Sequence, residues 1–167
     1  MKRPQGDLET LVSDLVCDDV IKCQNARRGL VALGESAVEP LKEALHHKNH
    51  WVHWEAAKAL GQIASPSAIR ALIDALEHGE FEHRWIAAES LIRIGRPVLQ
   101  PLLLELTRKP QSTWLQQGAH HVLADMKRGN LNRVLKPVVQ AIAGPSPSTE
   151  VPIAAKKALD LLRERGE

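Results

Sequence analysis

VHWEAAKALGQIASPSAIRALIDAL, residues 52–76, is the stretch that decides the fold. Its first half sets Val52, Ala56, Ala59, Leu60 and Ile63 at i, i+4, i+7, i+8 and i+11, one apolar stripe along an α-helix. Its second half offers Ile69, Leu72, Ile73 and Leu76 at similar spacing. Between them stands Ser65 followed by Pro66, which suits an N-cap and the first position of a new helix. The unit is helix, short turn, helix.

Outward from this stretch the unit recurs. NARRGLVALG from Asn25, EAAKALGQIA from Glu55, IAAESLIRIG from Ile86 and GAHHVLADMK from Gly118 align, and AAKKALDLLR from Ala154 is a less complete fifth copy. One column holds Ala26, Ala56, Ala87, Ala119 and Ala155, at steps of 30, 31, 32 and 36 residues. Another holds Leu30, Leu60, Leu91, Leu123 and Leu159. A second motif follows each of the first four copies: VEPLKEAL at Val38, IRALIDAL at Ile69, LQPLLLEL at Leu99 and LKPVVQAI at Leu135. Two motifs sharing nearly one period define a repeat. One helix pair cannot bury its apolar stripes alone, whereas stacked pairs build a continuous core, so the pattern predicts a helical solenoid.

The period sets the expected boundaries. Repeats fall at 19–49, 50–80, 81–112 and 113–148, flanked by an N-terminal cap helix within 1–18 and a C-terminal cap helix within 149–167. The first cap is read as helical from Asp7 to Val16, the last from about Val151 to Arg165, with Lys156, Lys157, Arg163, Glu164 and Arg165 suiting a polar end. Gly34 and Gly95 are expected to close first helices, and Gly79 a second. Ser36 and Glu39 have capping-box spacing. The segment AGPSPS, from Ala143 to Ser148, reads as a longer connector.

Composition narrows the class. The 167 residues are 44% apolar and 25% charged, as in a soluble globular domain that needs no disulfide or metal to fold. Lys and Arg total 22 against 20 Asp and Glu, with the signs mixed along the chain. That lacks the basic bias of a nucleic-acid binder. No run approaches the roughly 18 apolar residues of a membrane helix, and Gly6, Asp7 and Glu9 interrupt any signal-peptide core near the start. Cys17 and Cys23, six apart, fit neither a redox CxxC nor zinc spacing and are expected to be reduced. The expectation is a cytoplasmic monomer with no cofactor and no nucleic-acid or membrane partner.

With these motifs in view, the sequence resembles the HEAT-repeat family, in the short form known as phycobilisome-lyase HEAT-like repeats. The resemblance covers about residues 19–165. It implies an all-α fold: a right-handed α-solenoid of stacked antiparallel helix pairs, with about four repeats plus terminal capping helices. It also implies a scaffold or adaptor for a protein partner. Some relatives are enzymes, and the alternative is an enzyme or enzyme subunit related to phycobilin lyases or to metal-dependent HEAT-like enzymes. Deoxyhypusine hydroxylases hold two irons with His-Glu pairs at the starts of first helices. The matching positions here are Gln24-Asn25, Trp54-Glu55, Trp85-Ile86 and Gln117-Gly118, none of them a His-Glu pair. Phycobilin lyases offer no short motif to carry over.

Two groups of residues remain. His46, His47, His50 and His53 span a helix end, a turn and a helix start, a spacing that could bind a transition metal but fits solvated or capping histidines better. No catalytic residue is assigned. The tryptophans carry more information: Trp54 and Trp85 share one column, Trp51 and Trp114 another. In those columns Trp51, Trp54, Glu55 and Lys58 meet Glu82, Trp85 and Glu89 of the third repeat and Trp114, Gln117 and His121 of the fourth. These ten residues are the candidate partner-binding surface. Two readings stand side by side: tryptophans wedged between repeats for packing, or an aromatic patch that anchors a partner.

Overall fold

The computed structural model describes residues 7–16, 19–78 and 80–166. Among these, every regular element is helical: α1 (Leu8–Ser13), α2 (Val20–Leu33), α3 (Val38–Ala44), α4 (His50–Ile63), α5 (Ile69–Ala75), α6 (Phe81–Ile94), α7 (Leu99–Arg108), α8 (Thr113–Met126), α9 (Asn132–Ile142) and α10 (Pro147–Glu164). Single 3-10 turns join α2 to α3, α4 to α5, α6 to α7 and α8 to α9. Cys17 and Gly79, both named above, lie outside the described residues.

The helices stack as an α-solenoid. The 14-residue helices α2, α4, α6 and α8 pack one on the next in chain order. The shorter helices form the second layer: α3 lies against α4, α5 against α6, and α9 against α8. The alanine and leucine columns read from the sequence are buried throughout and belong to one continuous core. Alanine lets neighbouring helices approach and leucine fills the space between layers, each buried leucine contributing roughly 1.5–3 kcal/mol. At the α4–α6 joint the approach reaches backbone contact. A Cβ on Gly61 would stand 2.8 Å from the Ser90 Cα. There the Ser90 hydroxyl donates across the joint to the Ala57 carbonyl at 2.8 Å.

Polar ties follow the same period. Arg27 binds Glu55, the hydroxyls of Ser65 and Ser67 bind Glu35, Arg70 binds Glu105, Lys109 binds Glu77 and His121 binds Glu89. All of these link residues 28 to 35 apart in sequence. The repeat is thus written in charged and hydroxyl side chains as well as in the apolar columns.

Several local expectations hold and three are corrected. Gly34 at φ +63° and Gly95 at φ +82° close α2 and α6, and the Ser65 hydroxyl accepts from the Ser67 amide with Pro66 at the first position. Ser36 is no capping residue: its hydroxyl donates to the Leu33 carbonyl at 3.0 Å. The 3-10 turn Gly34–Ala37 runs straight into α3, leaving no free helix start to cap. The connector before the last helix is shorter than AGPSPS, since Pro147 and Ser148 already belong to α10. Lastly, α10 takes α7 and α9 as its main packing partners and does not continue the row of first helices beyond α8. Its stripe of Val151, Ala155, Ala158, Leu159 and Leu162 is buried, as are Leu99, Leu102, Leu103 and Leu106 of α7.

Candidate functional site

The starts of α4, α6 and α8 carry the site. Asn49 caps α4 by accepting the Trp51 amide at 2.9 Å, and Ser112 caps α8 by accepting the Leu115 amide at 3.3 Å. With Val52, Ala56 and Leu60 of α4 turned into the core, Trp51 and Lys58 fall on its outer flank and Trp54 on the border. Core burial of Ile86, Ala87 and Leu91 likewise leaves Phe81, Glu82, Trp85 and Glu89 of α6 outside.

Nine of the ten expected residues separate into three groups. Trp85, Glu89 and His121 meet across the α6–α8 joint: the Trp85 and His121 rings lie 4.5 Å apart, and His121 Nε2 is 2.7 Å from a Glu89 carboxylate oxygen. Trp51 and Trp54 wall a cavity of about 340 Å³ between α4 and α6, with Glu82 on its other side and Lys58 placed 5.7 Å from the Trp54 ring centre. Trp114 stands apart from both and is stacked under the Arg84 guanidinium at 3.9 Å, while Gln117 is exposed. Trp51, Trp85 and Trp114 are 52%, 44% and 48% exposed, whereas Trp54 is half-buried against the core. Trp54 packs on the core, Trp85 and Trp114 touch a neighbouring repeat through His121 and Arg84, and Trp51, Trp85 and Trp114 each keep an outward face.

Glu55 is corrected. It is buried, and its carboxylate accepts from Arg27 Nε at 2.5 Å in a pair whose arginine also donates to Gln62 Oε1 at 2.7 Å. The helical stripe placed Glu55 beside the tryptophans. The neighbouring helix α2 covers that edge and takes the charge for the joint.

Sequence reasoning missed four residues of this region. Phe81, the one phenylalanine of the chain, is 65% exposed and lies 6.2 Å from Trp85, one helical turn away at i+4. That spacing was a readable signal. His50, Glu80 and His83 complete the cavity walled by Trp51 and Trp54.

His53 and His83 form a second feature at the same joint. Their rings stack at 4.0 Å with 21° between planes. His53 Nδ1 lies 2.6 Å from the Leu45 carbonyl, which can only accept, so Nδ1 carries the proton and Nε2 is a bare lone pair. Nε2 of both rings is buried without a hydrogen-bond partner. Burial, and next the neighbouring His83, push the His53 imidazole down to a pKa of about 4. Burial and His50 lower that of His83, against the upward pull of Glu80 and Glu82. Their separation of 30 residues, nearly one period, was the available clue. Among the described residues, no group of three or more His, Cys, Asp or Glu side chains is placed to hold a metal ion, and no helix is long and apolar enough to cross a membrane.

The solenoid and its row of exposed first-helix side chains define a helical-repeat protein. A family model described as HEAT repeats matches residues 11–82 and again 38–124, and the chain belongs to this family. Among solved structures it is similar to crystal structures of engineered proteins. One is 27% identical with a TM-score of 0.48, covering 95% of this chain and 82% of the other. A second is 23% identical with a TM-score of 0.46, covering 94% and 79%. No curated protein matches the sequence.

Proposed function

We propose that this chain is a non-enzymatic scaffold or adaptor that binds a protein partner through the outer flank of α4, α6 and α8. The supporting observation is the exposure of Trp51, Trp85 and Trp114 on three successive first helices. Tryptophan buries a large area at small entropy cost, so an exposed row of them is an expected anchor for association. Lys58, Glu82, Glu89, Gln117 and His121 supply the polar rim. The HEAT-repeat family membership points the same way, since stacked repeats present an extended surface to partners. The enzyme alternative draws no such observation from the described residues.

The test is affinity capture from the native lysate with the wild-type chain and a Trp51→Ala, Trp85→Ala, Trp114→Ala variant. Trp54 is left in place because it packs against the core. The expected result is a partner held by wild type and lost by the variant, with helical circular dichroism and melting unchanged. Equal capture by both proteins overturns this surface.

A further inference from the structure

We propose that the cavity between the starts of α4 and α6 receives a basic side chain, arginine or lysine, of the docked partner. This rests on the scaffold reading and names the chemistry of one of its contacts.

The cavity, about 340 Å³, is walled by Trp51, Trp54, His50 and His83 and edged by the carboxylates of Glu80 and Glu82. Its volume falls within the range of small-ligand and side-chain pockets. The indole faces attract cations through their ring quadrupole, more strongly where water is excluded. The molecule itself uses that chemistry on both sides of the cavity. Lys58 sits by Trp54 on one flank, and the Arg84 guanidinium stacks on Trp114 on the other. Between these two occupied cation–aromatic contacts, Trp51 is half exposed and has no cation of its own among the described residues.

Charge decides the sign of the ligand. Two helix starts point at the region, and each contributes about half a positive charge, which by itself favours an anion. Glu80 and Glu82 contribute two full negative charges, so the balance is negative by about one charge. Neither glutamate forms an ion pair with a described residue. Both act on the His83 imidazole, which burial keeps toward its neutral form. An apolar side chain entering here would desolvate both carboxylates with nothing in return, and an anion would face them directly. A guanidinium or ammonium meets both carboxylates while its methylene stem lies along the indoles.

The test is a titration of the full chain followed by NMR at the tryptophan indole N–H signals, assigned with Trp-to-Phe variants. The probes are Nα-acetyl-arginine amide, its neutral analogue Nα-acetyl-norleucine amide, and Nα-acetyl-aspartate amide. The expected result is saturable shifts of the Trp51 and Trp54 signals with the arginine probe, about tenfold tighter than with norleucine, and none with aspartate. Glu80→Gln with Glu82→Gln, both at exposed positions, should erase most of that preference. Absence of a saturable shift, equal binding of norleucine, or stronger binding of aspartate overturns the proposal. If the arginine probe fails while the triple tryptophan variant still loses its captured partner, the basic-side-chain assignment falls and the scaffold reading stands.

Discussion

Two joints flank α4, and opposite chemistry seals them. Toward α2, a charged pair is buried: Arg27 binds Glu55 and reaches Gln62. Toward α6, the seal is neutral: the stacked imidazoles of His53 and His83, with the Gly61 and Ser90 backbones in near contact behind them. Both joints bury the same alanine and leucine columns, so the apolar packing is shared and the polar filling is what differs. A charged seal holds as long as both partners keep their charge. A neutral imidazole seal holds as long as neither ring gains one.

The largest effect comes from breaking the charged joint on one side only. Glu55→Ala leaves the Arg27 guanidinium buried without a counter-ion, and the expected loss is about 3–5 kcal/mol of unfolding free energy. Replacing both partners, Arg27→Met with Glu55→Leu, should cost far less, because a buried pair roughly offsets its own desolvation. Urea unfolding of the two variants checks this. A single variant no worse than the double one would mean that Arg27 finds water when Glu55 is gone, and the joint is then not sealed by charge.

Next comes acidification, which addresses the other joint. The folded-state pKa of His53 is about 4, below its ordinary value near 6.5, so between these values the unfolded chain binds more protons. Stability contributed by neutral His53 is complete above pH 6.5 and is lost as pH falls toward 4, in total about 3 kcal/mol. His83, whose pKa is also lowered, acts in the same direction. Asp74, Glu80 and Glu82 face the pair and hold some of the incoming charge, while His46, His47, His50 and His78 add to the repulsion. Carboxylates with a lowered pKa act in the same direction, but in a lower pH range. Glu35, held below its usual pKa by the Ser65 and Ser67 hydroxyls, loses its contribution only at still lower pH. Melting curves from pH 7 to 4.5 should therefore report the imidazole joint, and His53→Phe should flatten the slope. An unchanged slope in that variant removes His53 from the account.

The contrast between the joints also shows what the sequence could and could not reveal. The apolar columns were legible because a helical period and a repeat period act together on residues that must be buried. The placement of α10 was not: its Ala155 and Leu159 fit the first-helix column, yet the helix packs on α7 and α9. Column position alone does not say which layer a terminal helix covers. The tryptophan surface was legible as a set of columns. The exclusion of Glu55 was not, since only the packing of α2 decides whether a carboxylate beside a core stripe meets water or Arg27. The pairing of His53 with His83 falls one residue short of the 31-residue step that aligns α4 with α6, so its near-period separation is a clue that the aligned columns alone do not show.

The smallest expected effect serves as the reference for both joints. In α2 and α6 a glycine takes the positive-φ position after the helix, but in α4 that position is Ala64 at φ +56°. A Cβ is strained there, and Ala64 is exposed, so a glycine loses no packing. Ala64→Gly relieves the strain but frees the unfolded chain, and the net gain should be about 0.5–1 kcal/mol, or roughly 1–3 °C in melting temperature. Gly34→Ala and Gly95→Ala should lower stability by more, about 1–3 kcal/mol, because their ψ of -131° and -141° at positive φ lies in a region that only glycine adopts readily. Because Ala64 carries no titratable group and closes α4 at the end away from His53, the gain should be the same at pH 7 and pH 4.5, raising the whole curve in parallel. A gain that appears at one pH only would mean that the end of α4 shifts when the imidazoles charge, and the two joints would then be coupled through the helix they share.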